Sequence, residues 1–329
     1  VAASVACIFA ETLPQLIAAR FFQALGGASG MVISRAIIRD LYPRERVGAM
    51  ISLVVAALMI AQMVSPLTGG LLETAFGWRA ILYLITAASL TVTIFIALAL
   101  PETRRDRADS SSFRGDLGRL LRSRAFVGYL LCQVLASQII FAFAGGGPYI
   151  VVTQMGRSSA EYGAWFAMTG FGYFIGNLLC VRFSPRHSLE KLIWFGLALQ
   201  VGGSLLNLVW SFAGLNQAPL WLFGTQMIVM VANAFVMANS AAGAISIRPE
   251  AAGTASGAMG FLQQGIGSLI SQFGAYLGGH STTTLPLTAA IFAISIACAC
   301  TMIFVVPRRN VVVSEALIAQ VEEDEQGMM

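Results

Sequence analysis

The sequence predicts an all-α membrane protein that crosses the bilayer several times. Hydrophobic residues make up 57% of the 329-residue chain and charged residues only 11%, whereas soluble domains carry about 25% charged residues. The mean hydropathy is +0.76, and apolar runs of about 20 residues, long enough to cross a bilayer, recur along most of the chain. A transmembrane barrel would instead show short strands of alternating hydrophobicity, which the sequence lacks.

The apolar runs predict nine complete membrane spans. Before them, residues 1–9 are apolar but too short to span, and the chain begins with Val rather than Met. We therefore expect this segment to be the end of a truncated helix. A charged loop at 101–124 separates three spans from six, and its residues 116–122 are expected to form a short surface helix with leucines toward lipid. The predicted spans cover residues 14–34, 47–72, 78–100, 125–151, 162–183, 189–212, 220–246, 252–277 and 285–306.

Lys and Arg are distributed unequally between the two sides of these spans. Seventeen of the 20 lie in loops on one side, Arg79 and Arg157 lie on the other, and Arg20 is inside a span. Because cytoplasmic loops are enriched in Lys and Arg, we expect the loops at 35–46 and 101–124 and the C-terminus to be cytoplasmic. This distribution also accounts for the net charge of +4, so no nucleic-acid partner is predicted.

The sequence predicts neither a metal site nor an enzyme. The five cysteines fall in apolar segments without the spacing of a metal site or a disulfide framework, so we expect small buried hydrophobic residues. The two histidines stand alone, and a membrane enzyme would need clustered His, Cys or carboxylates. No phosphate-binding motif of the GxxxxGK[ST] type is present, so ATP is not expected to be the energy source within this chain.

Arg20 is a charged residue inside an apolar helix. Such a charge is costly in lipid and usually marks a substrate or ion path. Gln23 and Gly27 follow at i+3 and i+7, so the three residues should share one helix face that lines a cavity. The alternative is an arginine whose side chain extends to the outer membrane surface.

The following span contains Ser65-Pro66-Leu-Thr-Gly69-Gly70. Proline removes a backbone donor and the glycines permit close approach of another helix, so this segment predicts a bend or tight packing. The same reasoning applies to Gly265-Ile-Gly267-Ser268 in a later span. Together with Arg20, this motif favours a helical transporter.

Five short motifs occur in a fixed order along the chain. Arg20-x-x-Gln23-x-x-Gly26-Gly27-Ala28 and Ser65-Pro66-x-x-Gly69-Gly70 are followed by Gly77-Trp78-Arg79, and the segments 35–40 and 249–257 complete the set. They resemble the drug–proton antiporters of the major facilitator superfamily, specifically the bicyclomycin-resistance and chloramphenicol-exporter (Bcr/CflA) branch, with Ser65 where the family often has Gly. The resemblance covers nearly the whole chain.

The resemblance implies a fold of two six-helix halves with roughly the first three helices missing or incomplete. Residues 1–100 would then be the remainder of the N-terminal half. Residues 101–124 would form the central cytoplasmic loop, 125–306 the C-terminal half and 307–329 a cytoplasmic tail. None of the acidic residues lies in the middle of a predicted span. In the resembled family the proton-carrying carboxylate is usually in the first helix, so we expect it outside this chain.

The resemblance also implies roles for individual residues. Arg20 would act in proton coupling by lowering the pKa of a nearby carboxylate. The motif of the fifth helix would seal one face against proton leak, in addition to its ordinary packing. Charged residues at the cytoplasmic end of the fourth helix would form a gate, the alternative being simple positive-inside anchoring. The packing motif comprises Ser65, Pro66, Gly69 and Gly70, and the gate comprises Arg35, Arg39 and Asp40.

Polar and aromatic residues at helical spacing in the C-terminal half predict a substrate cavity. Amides combined with Met and aromatic residues suit adaptable binding of amphipathic molecules. The alternative for each amide is a hydrogen bond between helices. The glycine–proline run at 145–149 is expected to break the seventh helix and act as a hinge. The predicted cavity residues are Gln23, Gln133, Ser137, Phe141, Tyr149, Tyr173, Asn177, Gln226, Met230, Asn233 and Met237.

Taken together, the residues and the resemblance predict proton-coupled efflux of small amphipathic drugs across the bacterial inner membrane by alternating access. The expected protein is a multi-pass monomer that uses the proton gradient and no cofactor. Its partners would be a drug-like substrate, protons and the lipid bilayer. Two alternatives stay open, namely export of a natural metabolite such as an amino acid or sugar, and a truncated remnant that does not transport.

Overall fold

The fold of the chain is entirely helical where the structure describes it. The computed structural model describes residues 1–42, 44–99, 113–215, 218–248 and 251–306. These ranges contain eleven α-helices, a π-helical segment at Tyr149–Gln154 and a 3-10 turn at Ser184–Arg186, which confirms the predicted fold class. The helices are α1 (Ala2–Ile8), α2 (Leu13–Leu41), α3 (Arg44–Phe76), α4 (Arg79–Ala99), α5 (Phe113–Leu121), α6 (Arg124–Pro148), α7 (Ser159–Phe183), α8 (Leu189–Phe212), α9 (Pro219–Ser246), α10 (Ala252–His280) and α11 (Leu285–Phe304).

The helices group into two compact units. The first unit comprises Val1–Asp109 together with Ser158–Ala164, and the second comprises Ser110–Arg157 and Trp165–Met329. Helices α1 to α4 therefore belong to the first unit, as do the first turns of α7. The rest of α7 and the other helices belong to the second.

Six helices of the described chain are long and apolar enough to cross a membrane: α4, α6 with the π-helical segment, α7, α8, α9 and α11. The other three predicted spans coincide with α2, α3 and α10, which have 29, 33 and 29 residues. At about 1.5 Å per residue, each is longer than the bilayer core of roughly 30 Å. Crossing of the membrane by these three helices stays a prediction.

A small apolar core holds α1, α2 and α4 together in the first unit. Its buried members are Cys7, Ala19 and Leu82, against which Ile8 and Leu16 pack. Helix α2 begins after Thr12, whose backbone N–H donates to Gln15 Oε1 at 3.2 Å. This side chain satisfies an amide that the first turn of a helix leaves without an internal partner.

A glycine turn connects α3 to α4. Gly77 has φ +79°, a left-handed conformation that glycine adopts at little cost and that commonly ends a helix. Its N–H donates to Glu73 O at 2.9 Å, which caps the last turn of α3. Immediately afterwards the Arg79 guanidinium lies 4.5 Å from the centre of the Trp78 ring, a cation–π contact.

Helix α6 lies at the centre of the second unit. It packs against α9, α10 and α11, and most of its apolar span is buried. Small residues allow α10 to approach closely, because a side chain at Gly145 would meet the backbone of Ser271 and one at Gly274 would meet the backbone of Ala142. Such contacts between small residues are the usual means by which helices pack in lipid.

The expected break at the glycine–proline run is wrong. Helix α6 continues through this run to Pro148 and passes directly into the π-helical segment Tyr149–Gln154. The wider turn keeps the backbone bonded after the proline, since Met155 N–H donates to Ile150 O at 2.9 Å. The glycines do not unwind the helix because they are held against α10.

The short helix expected in the central loop is present as α5, but its leucines do not all face lipid. Leu120 is fully buried in the core of the second unit beside Phe126, whereas Leu121 is half exposed. Leu120 therefore anchors the helix to the bundle. The preceding loop residues 101–112 and the tail 307–329 lie outside the described residues.

The expectation that all cysteines are buried is wrong for Cys300, which is exposed, and right for the other four. Two of the buried ones lie close together. Cys132 on α6 and Cys298 on α11 have their Sγ atoms 3.4 Å apart, and the Cys298 thiol donates to Cys132 O at 3.3 Å. These thiols bond the two helices to each other in the core.

Candidate functional site

A chain of hydrogen bonds links α2 to α1 around Arg20. Arg20 Nη1 donates to Gln23 Oε1 at 2.8 Å, and Gln23 Nε2 donates to Ser4 Oγ at 2.8 Å. Ser4 is buried, Gln23 is half-buried and Arg20 is exposed. The structure thus brings the predicted residues Arg20 and Gln23 together and adds Ser4, which sequence reasoning missed because the contact spans 19 residues.

The surroundings of Arg20 leave its positive charge accessible to a second, anionic group. The amide of Gln23, to which the guanidinium donates, is neutral and so does not compensate the positive charge. Gly27 lies two turns further along α2, and a Cβ there would meet nothing within 4 Å, so this helix face is open. An open face with a fixed cation can attract a carboxylate or an anionic group and favour its deprotonated form.

The predicted packing motif on α3 contacts the first turns of α7. A side chain at Gly70 would meet the backbone of Ser159, and one at Gly163 would meet the backbone of Pro66. Gly69 differs from its neighbour, because a Cβ there would meet nothing within 4 Å. Close backbone approach therefore depends on Gly70 and Gly163 rather than on both glycines of the motif.

Thr74 strengthens this α3–α7 contact and was not predicted. Its Oγ1 donates to Gly70 O at 2.8 Å and accepts the backbone N–H of Ala160 at 3.1 Å. The N–H of Ala160 lies in the first turn of α7, where helix amides lack internal partners. A threonine one turn after a double glycine is the sequence signal that could have identified it.

The predicted cytoplasmic gate cannot be placed by its side chains. The backbone of α2 runs through Arg35, Arg39 and Asp40, but their side chains lie outside the described residues. The gate therefore stays a prediction.

Several predicted cavity residues make hydrogen bonds between helices of the second unit. Gln133 Nε2 on α6 donates to Gln263 Oε1 on α10 at 2.9 Å. Asn233 Nδ2 on α9 donates to Ala136 O on α6 at 2.7 Å. For these amides the geometry agrees with the alternative of interhelical bonding.

Other predicted cavity residues bond within their own helix or pack against glycine. Asn177 Nδ2 donates to Tyr173 O at 2.9 Å, and the Tyr173 hydroxyl lies 4.0 Å from Met237 Sδ on α9. Ser137 Oγ donates to Val134 O at 2.6 Å. Two further predicted residues pack against glycines, the ring of Phe141 against Gly267 and Tyr149 against Gly278.

Gln226 and Met230 are fully buried on α9. Neither the oxygen nor the nitrogen of the Gln226 amide hydrogen-bonds another protein group, and the same holds for Gln200 on α8. Buried amides are normally bonded because an unmade bond costs about 1–3 kcal/mol. The interior of this unit is therefore more polar than a purely structural helix bundle requires.

The exposed side of α10 combines polar and apolar residues in a way that sequence reasoning overlooked. Gln264, Ser268 and Gln272 recur at every fourth position and are exposed. Phe261 and Leu269 on the same side are 78% and 72% exposed. The i+4 recurrence of polar residues within an apolar helix was the available signal. This face offers both hydrogen-bonding groups and apolar contact area.

Glu190 is a buried carboxyl group at the start of α8, although its position in the sequence is typical of a solvated loop. Of the acidic side chains that the structure describes, Glu190 alone is buried. The Tyr129 hydroxyl donates to Glu190 Oε1 at 2.9 Å, while Oε2 bonds no protein group. A partner 61 residues away in the chain explains why sequence analysis missed this pair.

A polar cavity of about 380 Å³ lies at the opposite end of the second unit from Glu190. Its hydroxyl groups bond to one another, because Ser211 and Thr284 lie 2.9 Å apart and Thr288 Oγ1 donates to Ser211 Oγ at 3.0 Å. Of the residues that the structure describes, those that line the cavity are uncharged: Gln154, Met155, Ser211, Gly214, Thr282, Thr283 and Thr284. The cavity suits a neutral polar solute better than an ion.

Comparison with protein families gives a match over most of the chain. The family model described as Major Facilitator Superfamily matches residues 1–272. Among solved structures, a bacterial homolog of the human lysosomal transporter Spinster, in an inward-facing and unoccupied conformation, is similar with a TM-score of 0.64 and 16% identity. That alignment covers 93% of this chain and 78% of the other, and it shows a shared fold.

Three curated bacterial relatives are similar in sequence. An MFS-type transporter of Bacillus subtilis, YdgK, is 27% identical over 89% of this chain and 73% of its own length. The multidrug resistance protein D of Escherichia coli is 29% identical over 81% of this chain and 66% of its own. The bicyclomycin resistance protein homolog of Haemophilus influenzae is 24% identical over 77% and 64%. The chain thus spans about two thirds to three quarters of the length of these relatives.

Proposed function

This chain belongs to the Major Facilitator Superfamily, and from that premise we propose that it exports small amphipathic drugs across the bacterial inner membrane in exchange for protons. Its family and its membrane-spanning helices make it a multi-pass membrane transporter. The similarity to proteins named for multidrug and bicyclomycin resistance supports drugs as the substrate class.

The exposed face of α10 is the observation that most directly supports an amphipathic substrate. Polar side chains facing hydrocarbon would lose hydrogen bonds to water at a cost of several kcal/mol each. A face that carries Gln264, Ser268 and Gln272 therefore suits water or a ligand better than acyl chains. The exposed Phe261 and Leu269 beside them would contact the apolar part of the same ligand.

Proton exchange is supported by the Arg20 network. A cation held at an open helix face lowers the pKa of a carboxyl group that approaches it and so promotes proton release. The hydrogen bonds through Gln23 to the buried Ser4 restrain this cation. The proposal therefore assigns Arg20 to proton coupling.

The distribution of Lys and Arg supports the orientation of the transporter. Loops enriched in Lys and Arg face the cytoplasm, so we place the C-terminus inside the cell. Transport by alternating access in a monomer with no cofactor completes the proposal. The source of energy is the proton gradient across the membrane.

Drug efflux from whole cells tests the proposed function. The chain would be expressed in a bacterium that lacks its major drug exporters, and accumulation of bicyclomycin and chloramphenicol would be measured with and without a protonophore. The test variant is Gln264→Leu combined with Gln272→Leu. The control is Thr91→Val combined with Thr93→Val, which removes exposed hydroxyl groups that donate to carbonyls of their own helix α4.

We expect lower drug accumulation in cells that express the chain, and loss of this difference when the protonophore is added. The α10 variant should accumulate drug like the empty strain, whereas the α4 control should export it. Normal accumulation in the presence of the wild-type chain at verified membrane levels would contradict drug export by this chain and would leave its two alternatives, export of a natural metabolite and a remnant that does not transport. Export of an amino acid or sugar in the same cells would then favour the metabolite alternative.

A further inference from the structure

A cleft opens on the surface of the second unit where three helices meet. The end of α7, the start of α8 and α9 enclose a volume of about 190 Å³. The transport site proposed above does not involve these residues. The cleft is lined by Phe183, His187, Lys191, Leu192, Phe195 and Phe235.

The floor of the cleft is apolar and firmly packed. Phe235 is 1% exposed and Leu192 is 5% exposed, and both belong to one buried cluster with Cys180. The Phe195 ring meets Phe235 edge-on with 5.3 Å between ring centroids. Phe195 itself is 54% exposed and forms an open wall. The cleft therefore offers a fixed apolar surface with an accessible mouth.

The mouth lies on a side of α8 that suits contact with lipid. Trp194 and Phe195 are exposed near the start of this helix, and Leu205, Val209 and Phe212 are exposed further along it. Large apolar residues exposed on one side of a membrane-spanning helix face acyl chains rather than water. A molecule that enters the cleft from this side must carry an apolar segment.

The rim of the cleft is positively charged. Lys191 and His187 line it, and the exposed Arg186 precedes His187 in the chain. The one acidic residue of the described segment 182–191 is Glu190, which turns inward, accepts a hydrogen bond from Tyr129 and is 8% exposed. The Glu190 carboxyl group is therefore held in the interior of the unit by its bond to Tyr129.

We infer that this cleft binds one anionic phospholipid, with an acyl chain against Phe195 and Phe235 and the phosphate beside Lys191 and His187. Basic pockets between helix ends at the membrane surface recognise anionic headgroups. The His187 ring is already held at the rim, because it packs edge-on against Phe183 and one ring nitrogen lies 3.2 Å from Phe183 O. A zwitterionic lipid would meet the same floor without the full benefit of the rim charges.

Native mass spectrometry of the full chain in detergent tests this inference. The protein would be delipidated and titrated with phosphatidylglycerol and, separately, with phosphatidylcholine, and the dissociation constant of the first bound lipid would be measured. The rim variant is Arg186→Gln combined with Lys191→Gln. A matched control, Arg119→Gln combined with Arg122→Gln, removes two exposed basic residues near the same end of the bundle. A third variant, Arg186→Lys with Lys191→Arg, keeps the rim charge.

Phosphatidylglycerol should bind more tightly than phosphatidylcholine to the wild-type chain. Each rim charge contributes roughly a fivefold change in affinity, so the rim variant should lose about 25-fold for phosphatidylglycerol and little for phosphatidylcholine. The control and the charge-preserving variant should bind as the wild type does. Equal affinity for the two lipids, or an equal loss in the control, would overturn the inference. Detection of a dimer that binds no lipid would also overturn the inference, since a second copy of the chain would then occupy the cleft.

The apolar floor provides a separate readout. Phe195→Ala should weaken both lipids, because it removes a wall that either acyl chain would contact. Phe212→Ala at the far end of the same helix is exposed to 71% and lies away from the cleft, so it should change neither affinity. Equal effects of the two substitutions would contradict an acyl chain in the cleft.

Discussion

At the scale of the residue, Arg20 is proposed to couple drug efflux to proton movement. Substituting Arg20→Ala should abolish proton-driven efflux, because the cation that would lower the pKa of an approaching carboxyl group is lost. Arg20→Lys should retain part of the activity, since it keeps the charge and loses the geometry of the bond to Gln23. The measurement is drug accumulation with and without a protonophore, at matched protein levels in the membrane. Full efflux by the alanine variant would refute the role.

The Tyr129–Glu190 pair predicts a stability effect rather than a transport effect. Tyr129→Phe removes the hydrogen bond to Glu190 Oε1, and among the described residues neither carboxyl oxygen then has a partner. A buried polar group left without its partner costs about 1–3 kcal/mol. We expect a lower thermal unfolding temperature in detergent. The double variant with Glu190→Leu should recover part of the lost stability, because it removes the unpaired carboxyl group. Failure to recover would mean that this group does not cause the loss.

At the scale of the helix, the two adjacent glycines of α3 make opposite predictions. Gly70→Ala should destabilise the α3–α7 contact by about 1–3 kcal/mol, because the new Cβ would meet the backbone of Ser159. Gly69→Ala should leave the protein unchanged or stabilise it by up to about 1 kcal/mol, since the site is open and alanine favours helix. Thermal unfolding of the two variants in the same detergent compares them directly. Equal melting temperatures would show that the close approach is not rigid.

At the scale of the whole molecule, the uneven distribution of basic residues predicts which ends of the helices are reached from outside. With the exposed Cys300 replaced by Ser, Thr282→Cys should react with a membrane-impermeant maleimide in intact spheroplasts. Ser184→Cys should react only after the membrane is opened. Both positions are exposed and lie at opposite ends of the second unit. The reverse pattern would invert the proposed topology, and the cysteine-replaced parent measures background labelling.

Sequence reasoning predicted the helical fold because helix length and hydropathy are local properties. It also predicted that the segments containing Gly70 and Gly267 permit close approach of another helix, and a side chain at either glycine would indeed meet a neighbouring helix, at Ser159 or Phe141. It could not foresee that Glu190 turns inward, because the Tyr129 partner comes from a distant helix. The bonded state of Asn233 depends in the same way on a carbonyl of another helix. The sequence therefore predicts the helices but not which helix faces contact each other.

The π-helical segment after Pro148 has a consequence for the history of this helix. A π-turn contains one more residue than an α-turn, so it rotates everything beyond it relative to the helix before it. Here that rotation accompanies the placement of Gln154 Nε2 against the carbonyls of Gly278 and Ser281, at 3.0 and 2.8 Å. A homologue with a regular helix in this region would align with a one-residue gap, and its counterpart of Gln154 would point about 100° away. A single inserted codon is thus enough to create or remove this anchor.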